Sequence, residues 1–169
     1  MGTISPIVNA FTCSGAYAVL IMSGLKHVEN RSAMPVPARG RCVISVSRKF
    51  NKAEYDNLVA WLAGHCDSSV FEHLLKWDDV KSWPGCIVGT MDYDAMDRVP
   101  CNTALASECR IWNEGYPNWW ILSNIRRLPT PIPCRGNVGM WRMPLKLSAE
   151  VEKQFAKENR DIIFQEELR

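Results

Sequence analysis

The chain lacks any apolar segment long enough to cross a membrane. The longest one, Gly15–Met22, is far shorter than the roughly 20 residues that a membrane-spanning helix needs. The first 12 residues also lack the basic stretch and the following apolar stretch of a secretory signal. We therefore predict an intracellular protein, cytoplasmic or nuclear, that is not associated with a membrane.

The chain also lacks a C-x-x-C pair among its seven cysteines, which argues against a zinc ribbon or a thioredoxin-like redox centre. The odd count, with several cysteines at the start of apolar runs, favours reduced and buried thiols. We predict no metal and no cofactor. A metal site formed by Cys101 and Cys109 with His65 or His73 is the alternative.

What the chain has is enough apolar material for one sizeable core, with 47% hydrophobic residues and seven tryptophans in 169 residues. The net charge is only +2, but the charges are unevenly distributed. Residues 1–50 hold six Lys/Arg and one Asp/Glu, residues 51–100 hold four and nine, and residues 101–147 hold six and two. The two basic blocks could form one face for a polyanion such as nucleic acid. A patchwork of solvated faces is the alternative.

Residue patterning predicts an α+β fold in which helices surround a small β-barrel. A buried helix is expected over Gly15–Ser23, with Ser14 as its cap and Gly24 as its end. A second helix is expected after Asn51, with Glu54 in a capping-box position and Gly64 as its end. The remaining expectations are strands at Arg41–Ser47, Cys86–Met91, Trp119–Leu122 and Gly136–Arg142, an acidic loop at 92–97, a proline-rich connector at 129–133 and a helix capped by Ser148.

One ordered set of motifs is more specific. From residue 17 the chain reads Y-A-V-L-I-M-S-G-L-K-H-V-E-N-R-S, and then A-R-G-R and V-I-S-V-S-R-K follow. This resembles the ASCH domain, the activating signal cointegrator-1 homology module of the PUA-like superfamily. In that family an aromatic-bearing helix leads into G-x-K-x-x-E-x-R, an R-G turn and a strand that ends in small and basic residues.

Two later segments resemble the same family in the same order. P-G-C-I-V-G-T-M-D (84–92) resembles its second hallmark strand, and W-W-I-L with R-R-L-P-T-P-I-P-C-R-G-N-V-G-M-W (126–141) resembles its closing segment. The resemblance covers roughly residues 10–145. It implies an ASCH, PUA-like small β-barrel with surrounding helices over residues 1–147, and a C-terminal helical extension over 148–169.

The chain departs from the family pattern at two positions. Many members begin the helix with Q-P-W-A, where this chain has Gly15-Ala16-Tyr17-Ala18. The relatives that resemble amidohydrolases of acetylated cytidine carry a threonine nucleophile three residues after the lysine, where this chain has Glu29. The second departure favours binding over hydrolysis.

The motif residues Lys26, Glu29 and Arg31 have chemistry that suits a nucleotide. If residues 27–31 are extended, Glu29 and Arg31 point to one side. Arginine offers a planar fork and lysine a compact cation, and a carboxylate kept ionised by them could accept from an exocyclic amine. The resemblance implies that the three line the family's cleft. The alternative is a structural ion network, and for Tyr17 the alternative to stacking on a base is a place in the core.

We therefore predict a non-catalytic nucleic-acid-binding module, for RNA rather than DNA, whose cleft accepts a single-stranded or flipped nucleotide, modified or not. One alternative is a hydrolase, a nuclease or an amidohydrolase acting on a modified nucleoside, with Lys26 and Glu29 as its acid/base pair. Another is a protein-interaction adaptor, and a protein partner from a transcription or RNA-processing complex is compatible with the binding role. The candidate nucleic-acid-binding residues are Tyr17, Lys26, Glu29, Arg31, Arg39, Gly40, Arg41, Arg48, Lys49, Arg126, Arg127 and Arg135.

Overall fold

The computed structural model describes residues 7–32, 34–35, 37–96 and 118–167. Within these residues the chain is α+β, with six strands and five helices. The strands are β1 (Asn9–Cys13), β2 (Val28–Arg31), β3 (Arg39–Val46), β4 (Cys86–Met96), β5 (Asn118–Pro133) and β6 (Met140–Arg142). The helices are α1 (Gly15–Met22), α2 (Lys52–His65), α3 (Val70–His73), α4 (Trp77–Val80) and α5 (Leu145–Glu167).

The strands form one mixed sheet in the order β2-β5-β4-β3-β1-β6, in which only β1 and β3 run parallel. The sheet curls into a half-barrel. Because of this curl, the guanidinium of Arg31 on β2 lies 4.4 Å from the ring centre of Phe11 on β1, although three strands separate β2 from β1 in the sheet. The seam between these two strands is where the candidate site lies.

The predicted buried helix is confirmed as α1. The Ser14 side chain accepts from the backbone N–H of Tyr17, which caps the helix, and Gly24 adopts a φ of +69° just after its end. The helix starts against Phe50, since a Cβ on Gly15 would lie 1.9 Å from the Phe50 ring. This close approach holds the start of α1 against Phe50, a few residues after the end of β3.

The expected acidic loop at 92–97 is wrong over its described part, because β4 continues to Met96. Asp92 lies opposite Arg41 and Asp94 opposite Arg39 in the β3–β4 pairing. Cross-strand pairs of opposite charge stabilise a sheet, so these aspartates extend the strand instead of ending it. Strand β3 also begins earlier than expected, at Arg39.

Three other boundaries differ from the sequence-based expectation. The prolines at 129, 131 and 133 lie within β5, where β2 pairs only with residues 118–121, so the open side of the strand tolerates them. Helix α2 continues through Gly64 to His65. The last helix begins at Leu145, with Ser148 buried inside it, and β6 is shorter than expected.

Packing buries both tryptophans of the Trp119-Trp120 pair, with Trp119 against Val28 and Trp120 in the main core. The curl covers both faces of β5 at this point. Of the cysteines, 13, 42, 86 and 134 are buried and free, as predicted, while Cys66 is half-buried. Residues 101 and 109 lie outside the described residues. No helix in the described part of the chain is long and apolar enough to span a bilayer.

Candidate functional site

The central predicted residues meet at the seam of the half-barrel, between β1 and β2. Strand β1 passes through Ser14 directly into α1, which places Tyr17 in the first helical turn. Strand β2 pairs antiparallel with β5, so that Glu29 lies opposite Trp120. The extended geometry expected for this segment is confirmed over Val28–Arg31.

Lys26, Glu29 and Arg31 form an ion network that is almost completely buried at its centre. Lys26 is 1% exposed and Glu29 is 3% exposed. Lys26 Nζ donates to the carbonyl oxygen of Val28 and lies 3.9 Å from Glu29 Oε2. Arg31 Nη2 lies 2.8 Å from Glu29 Oε1. Glu29 and Arg31 therefore share one side of β2, as the two-residue period of a strand requires.

Aromatic rings hold the two cations of this network in place. Lys26 Nζ lies 5.1 Å from the ring centre of Tyr17, and the Arg31 guanidinium lies over Phe11. Phe11 in turn packs against Trp120 at a centroid distance of 5.3 Å. Cation–π contacts of this kind are stronger when the cation is partly desolvated. The Phe11 ring therefore restrains the position of the Arg31 guanidinium.

The same place holds polar atoms whose hydrogen-bonding capacity is not used within the described residues. Glu29 Oε2, Arg31 Nε and Trp120 Nε1 are buried and have no hydrogen-bond partner there. Buried polar atoms in folded proteins are nearly always satisfied, and leaving one unsatisfied costs about 1–3 kcal/mol. Among the described residues, one acceptor and two donors around Glu29 therefore have unused hydrogen-bonding capacity.

Burial raises the pKa of Glu29 above its ordinary value, against the opposing effects of Lys26 and Arg31. The expectation that the two cations dominate this carboxyl is therefore corrected, since desolvation is the larger influence. The thiol of Cys13, on the neighbouring strand, also has its pKa raised, chiefly by burial. Cys13 is thus a neutral wall of the site at physiological pH.

A cavity of about 310 Å³ opens over this network, and we call it the β1–β2 pocket. It is lined by residues 12–14 at the end of β1, by Tyr17, and by residues 29–32 of β2 and its C-terminal neighbour. Its volume is at the lower end of the about 300–1,000 Å³ found for small-molecule sites. Lys26 is not among the lining residues: it lies beneath the pocket, behind Glu29 and Tyr17.

A second cavity of about 530 Å³ adjoins the first, and we call it the basic pocket. The two share Thr12, Cys13, Ser14 and Arg31 as lining residues. The basic pocket is also lined by Arg48 and Lys49 after β3, Glu54 of α2, Gly85, and the 135–139 loop before β6. Residues from both basic blocks of the sequence thus meet in one cavity.

The other predicted basic residues lie elsewhere and have acidic partners or open surroundings. Arg41 forms a two-contact pair with Asp92, and Arg39 lies 3.8 Å from Asp94. Both are near the N-terminal end of β3, whose eight residues span roughly 23 Å at about 3.3 Å per residue. Gly40 lies between them against the Tyr93 ring.

On β5, Arg126 pairs with Glu158 at 3.0 Å and stacks on Phe155. Its neighbour Arg127 is exposed and lines neither of the two pockets. The nucleic-acid roles predicted for these β3 and β5 residues stay predictions.

Sequence reasoning missed several residues of the two pockets. Thr12 and Cys13 carry no motif, and Ser14 signalled only a helix cap. Glu54 signalled a capping box, but its Oε1 accepts from the backbone N–H of Ala16 on α1, at 3.3 Å. Only the tertiary packing of α1 against α2 brings this carboxylate to the seam.

No protein-family model and no curated protein sequence matches this chain. Function is therefore inferred from the residues at the seam. Within the described residues, no group of three or more His, Cys, Asp or Glu side chains is arranged to hold a metal ion.

Proposed function

We propose that this protein is a nucleic-acid-binding module of the ASCH type, within the PUA-like superfamily, and that it takes one single-stranded or flipped nucleotide of RNA into the β1–β2 pocket. The observation that carries this proposal is Glu29, a buried carboxyl that lines the pocket and whose Oε2 has no hydrogen-bond partner among the described residues. A base with an exocyclic amine supplies a donor.

The other walls of the pocket suit the same ligand. Tyr17 supplies an aromatic ring for stacking, which contributes about 1–3 kcal/mol per base in single-strand binding. Arg31 is half-buried, held by Glu29 and Phe11, and presents a pre-oriented guanidinium. The adjoining cations of the basic pocket match the sugar-phosphate backbone.

The position of Lys26 favours binding over hydrolysis. Its ammonium donates to the Val28 carbonyl beneath the pocket and is 1% exposed, so it lies away from where substrate atoms would react. A general acid or base needs hydrogen-bond reach of the reacting group. The free thiols of the described cysteines, four of them buried, also fit a reducing compartment, the cytoplasm or the nucleus.

The test is a titration of the whole chain, at several salt concentrations, against short single-stranded RNA, duplex RNA and duplex DNA. We expect tightest binding to single-stranded RNA and an affinity that falls steeply with salt, because cations at phosphates release counterions. Binding that is absent at low salt would overturn the proposal. Equal binding of all three would overturn its single-strand component.

Variants of Tyr17 separate stacking from general electrostatic attraction. Tyr17→Leu removes the ring and is expected to weaken single-stranded RNA binding about tenfold or more, whereas Tyr17→Phe keeps the ring and the affinity. The same samples report on hydrolysis. RNA or acylated cytidine that the wild type converts, and that Lys26→Ala leaves intact, would favour the hydrolase instead.

A further inference from the structure

The basic pocket holds cations that have no ion-pair partner in the described part of the chain. Arg48, Lys49 and Arg135 all line it, and none of the three forms an ion pair within the described residues. The fourth cation, Arg31, is shared with the β1–β2 pocket and pairs with Glu29. Cations from three separate chain segments therefore converge on one cavity.

Close backbone packing brings together the segments that carry two of these cations. A Cβ on Gly85 would lie 3.0 Å from Arg48 Cγ, so the stem of Arg48 crosses directly over this glycine. The backbone N–H of Cys134 donates to the Gly85 carbonyl oxygen at 2.9 Å, which sets Arg135 next to the same point. The chain segments that carry Arg48 and Arg135 therefore meet at Gly85.

The loop that follows Arg135 is equally restrained. A Cβ on Gly136 would lie 2.7 Å from Thr12 Oγ1 and 3.0 Å from Ser45 Oγ. Thr12 Oγ1 in turn accepts from Trp141 Nε1 at 2.9 Å. The loop is therefore pressed against the end of β1, and only glycine fits at its point of contact.

The side-chain carboxylate of Glu54 lies on one side of this cavity. Glu54 lines the basic pocket and accepts from the backbone N–H of Ala16, in the first turn of α1. Helix N-termini favour negative charge, and α1 has no acidic residue of its own in its first turn. Glu54 shows that the position suits a carboxylate or phosphate oxygen.

From this arrangement we infer that the basic pocket is a phosphate subsite for the nucleotide whose base lies in the β1–β2 pocket, with Arg31 at the boundary between them. The inference rests on the proposed function, because it needs a base in the first pocket. The ligand chemistry is a phosphate oxygen, which either a terminal phosphomonoester or an internal phosphodiester supplies. Arg48, Lys49 and Arg135 bind it, and Glu54 competes with it.

The experiment titrates the full chain, by calorimetry at low salt, with cytidine, its 5′- and 3′-monophosphates and the dinucleoside monophosphate CpC. We expect at least one phosphorylated compound to bind about tenfold or more tightly than cytidine. The reason is that hydrogen bonds between the cations of the pocket and the phosphate are charge-assisted and therefore stronger than neutral ones. A preference for one of the monophosphates identifies a terminal phosphate, and a preference for CpC identifies the internal diester. Equal affinities for all four would overturn the inference.

Three variants make the test specific. Arg135→Gln is expected to abolish the gain from phosphate, which is the increase in affinity of the phosphorylated compound over cytidine, while leaving cytidine binding unchanged. Arg142→Gln, which removes the same charge from an exposed position on β6, is expected to leave the gain intact. Glu54→Gln is expected to increase the gain, because the competing anion is removed, whereas a purely structural Glu54 would not change it.

The outcomes separate this inference from the proposed function. If cytidine and its phosphates both bind but with equal affinity, the subsite is refuted and the base pocket stands. Inorganic phosphate is titrated in the same way. If it binds in an Arg135-dependent way while cytidine and RNA do not bind, the proposed function fails, and the link to a nucleotide fails with it. Loss of the phosphate gain in Arg142→Gln as well as in Arg135→Gln would also refute the subsite.

Discussion

Two regions of the sheet hold carboxylate–cation groups of opposite character. At the seam, Glu29 is 3% exposed, one of its oxygens has no hydrogen-bond partner among the described residues, and burial raises its pKa. Near the N-terminal end of β3, Asp92 accepts from Arg41 through both oxygens and from Asn124 at 2.6 Å, and these contacts lower its pKa. In the first group one carboxylate oxygen has no hydrogen-bond partner among the described residues, whereas in the second both oxygens have partners.

This difference indicates which charges are available to a ligand. A cross-strand pair such as Arg41–Asp92 satisfies itself and helps to hold β3 to β4. A buried carboxylate with an unsatisfied oxygen is costly to the fold unless something else supplies the donor. The numbers of charged residues in the sequence do not distinguish the two groups, whereas the hydrogen bonds of each carboxylate do.

The largest expected effect is on stability, and it compares the same substitution in both regions. Lys26→Met leaves Glu29 buried with only Arg31 as its partner, and is expected to lower the free energy of unfolding by about 3 kcal/mol or more. Arg41→Met removes a partly exposed pair and is expected to cost less than about 1 kcal/mol. Urea denaturation measures both. Equal losses would mean that the seam is no more buried than the β3 end.

The next effect concerns base preference. Wild type is expected to bind cytidine about tenfold more tightly than uridine, because the cytosine amine donates to Glu29 Oε2 where uracil presents a carbonyl. Glu29→Gln can present either an oxygen or an amide N–H, and is expected to lose this preference while remaining folded. Calorimetry with the two nucleosides measures it. An unchanged preference in Glu29→Gln would remove the carboxylate from base recognition.

A smaller effect is expected in the salt dependence of RNA binding. Each phosphate contact on a single strand contributes about 0.7 to the slope of log affinity against log salt. Arg48→Gln is therefore expected to lower the magnitude of the slope by about that amount, and Arg41→Gln, whose charge is paired with Asp92, to leave it nearly unchanged. If Arg41→Gln lowers the slope as much as Arg48→Gln, the β3 arginines bind RNA phosphates as the sequence predicts, and pairing with a carboxylate does not remove a cation from RNA binding.

The smallest effect is a difference in pH dependence between the two carboxyls. Because the pKa of Asp92 is lowered on folding, its contribution to stability is present above its ordinary value of 3.8 and is lost as the pH falls below it. Asp92→Asn is therefore expected to lose less stability than wild type on acidification.

The pKa of Glu29 is raised, so its contribution has the opposite sign: it is present below the ordinary value of 4.5 and is lost as the pH rises through the raised pKa. Glu29→Gln is expected to gain stability relative to wild type as the pH rises. Denaturation curves at several pH values measure both variants, and the same sign for both would contradict the account.

Local signals predicted much of the chain. Ser14, Gly24 and Asn51 mark helix ends by their own chemistry, and all three lie where expected. Strands β4 and β5 are longer than the sequence predicts, because Asp92 and Pro129 are residue types that are unfavourable in isolated strands. Their tolerance depends on a facing arginine and on an unpaired strand edge, neither of which adjacent residues reveal.

The candidate site could be predicted only in part, because the sequence shows local patterns but not contacts between distant residues. Lys26, Glu29 and Arg31 lie within one short segment, so strand periodicity alone brings Glu29 and Arg31 to one side. Thr12 and Glu54 reach the pockets through the curl of the sheet and the packing of α1 on α2, and both depend on contacts between distant residues. The burial that raises the pKa of Glu29 has the same origin.

The most direct test of the central claim is to map single-stranded RNA onto the wild-type protein by the chemical shifts of its backbone amides. We expect the shifts to change at residues 12–17, 29–32, 47–49 and 135–139, around the two pockets, and to stay unchanged at residues 39–41 and 92–94. Changes confined to the β3–β4 end, with none around Glu29, would contradict it.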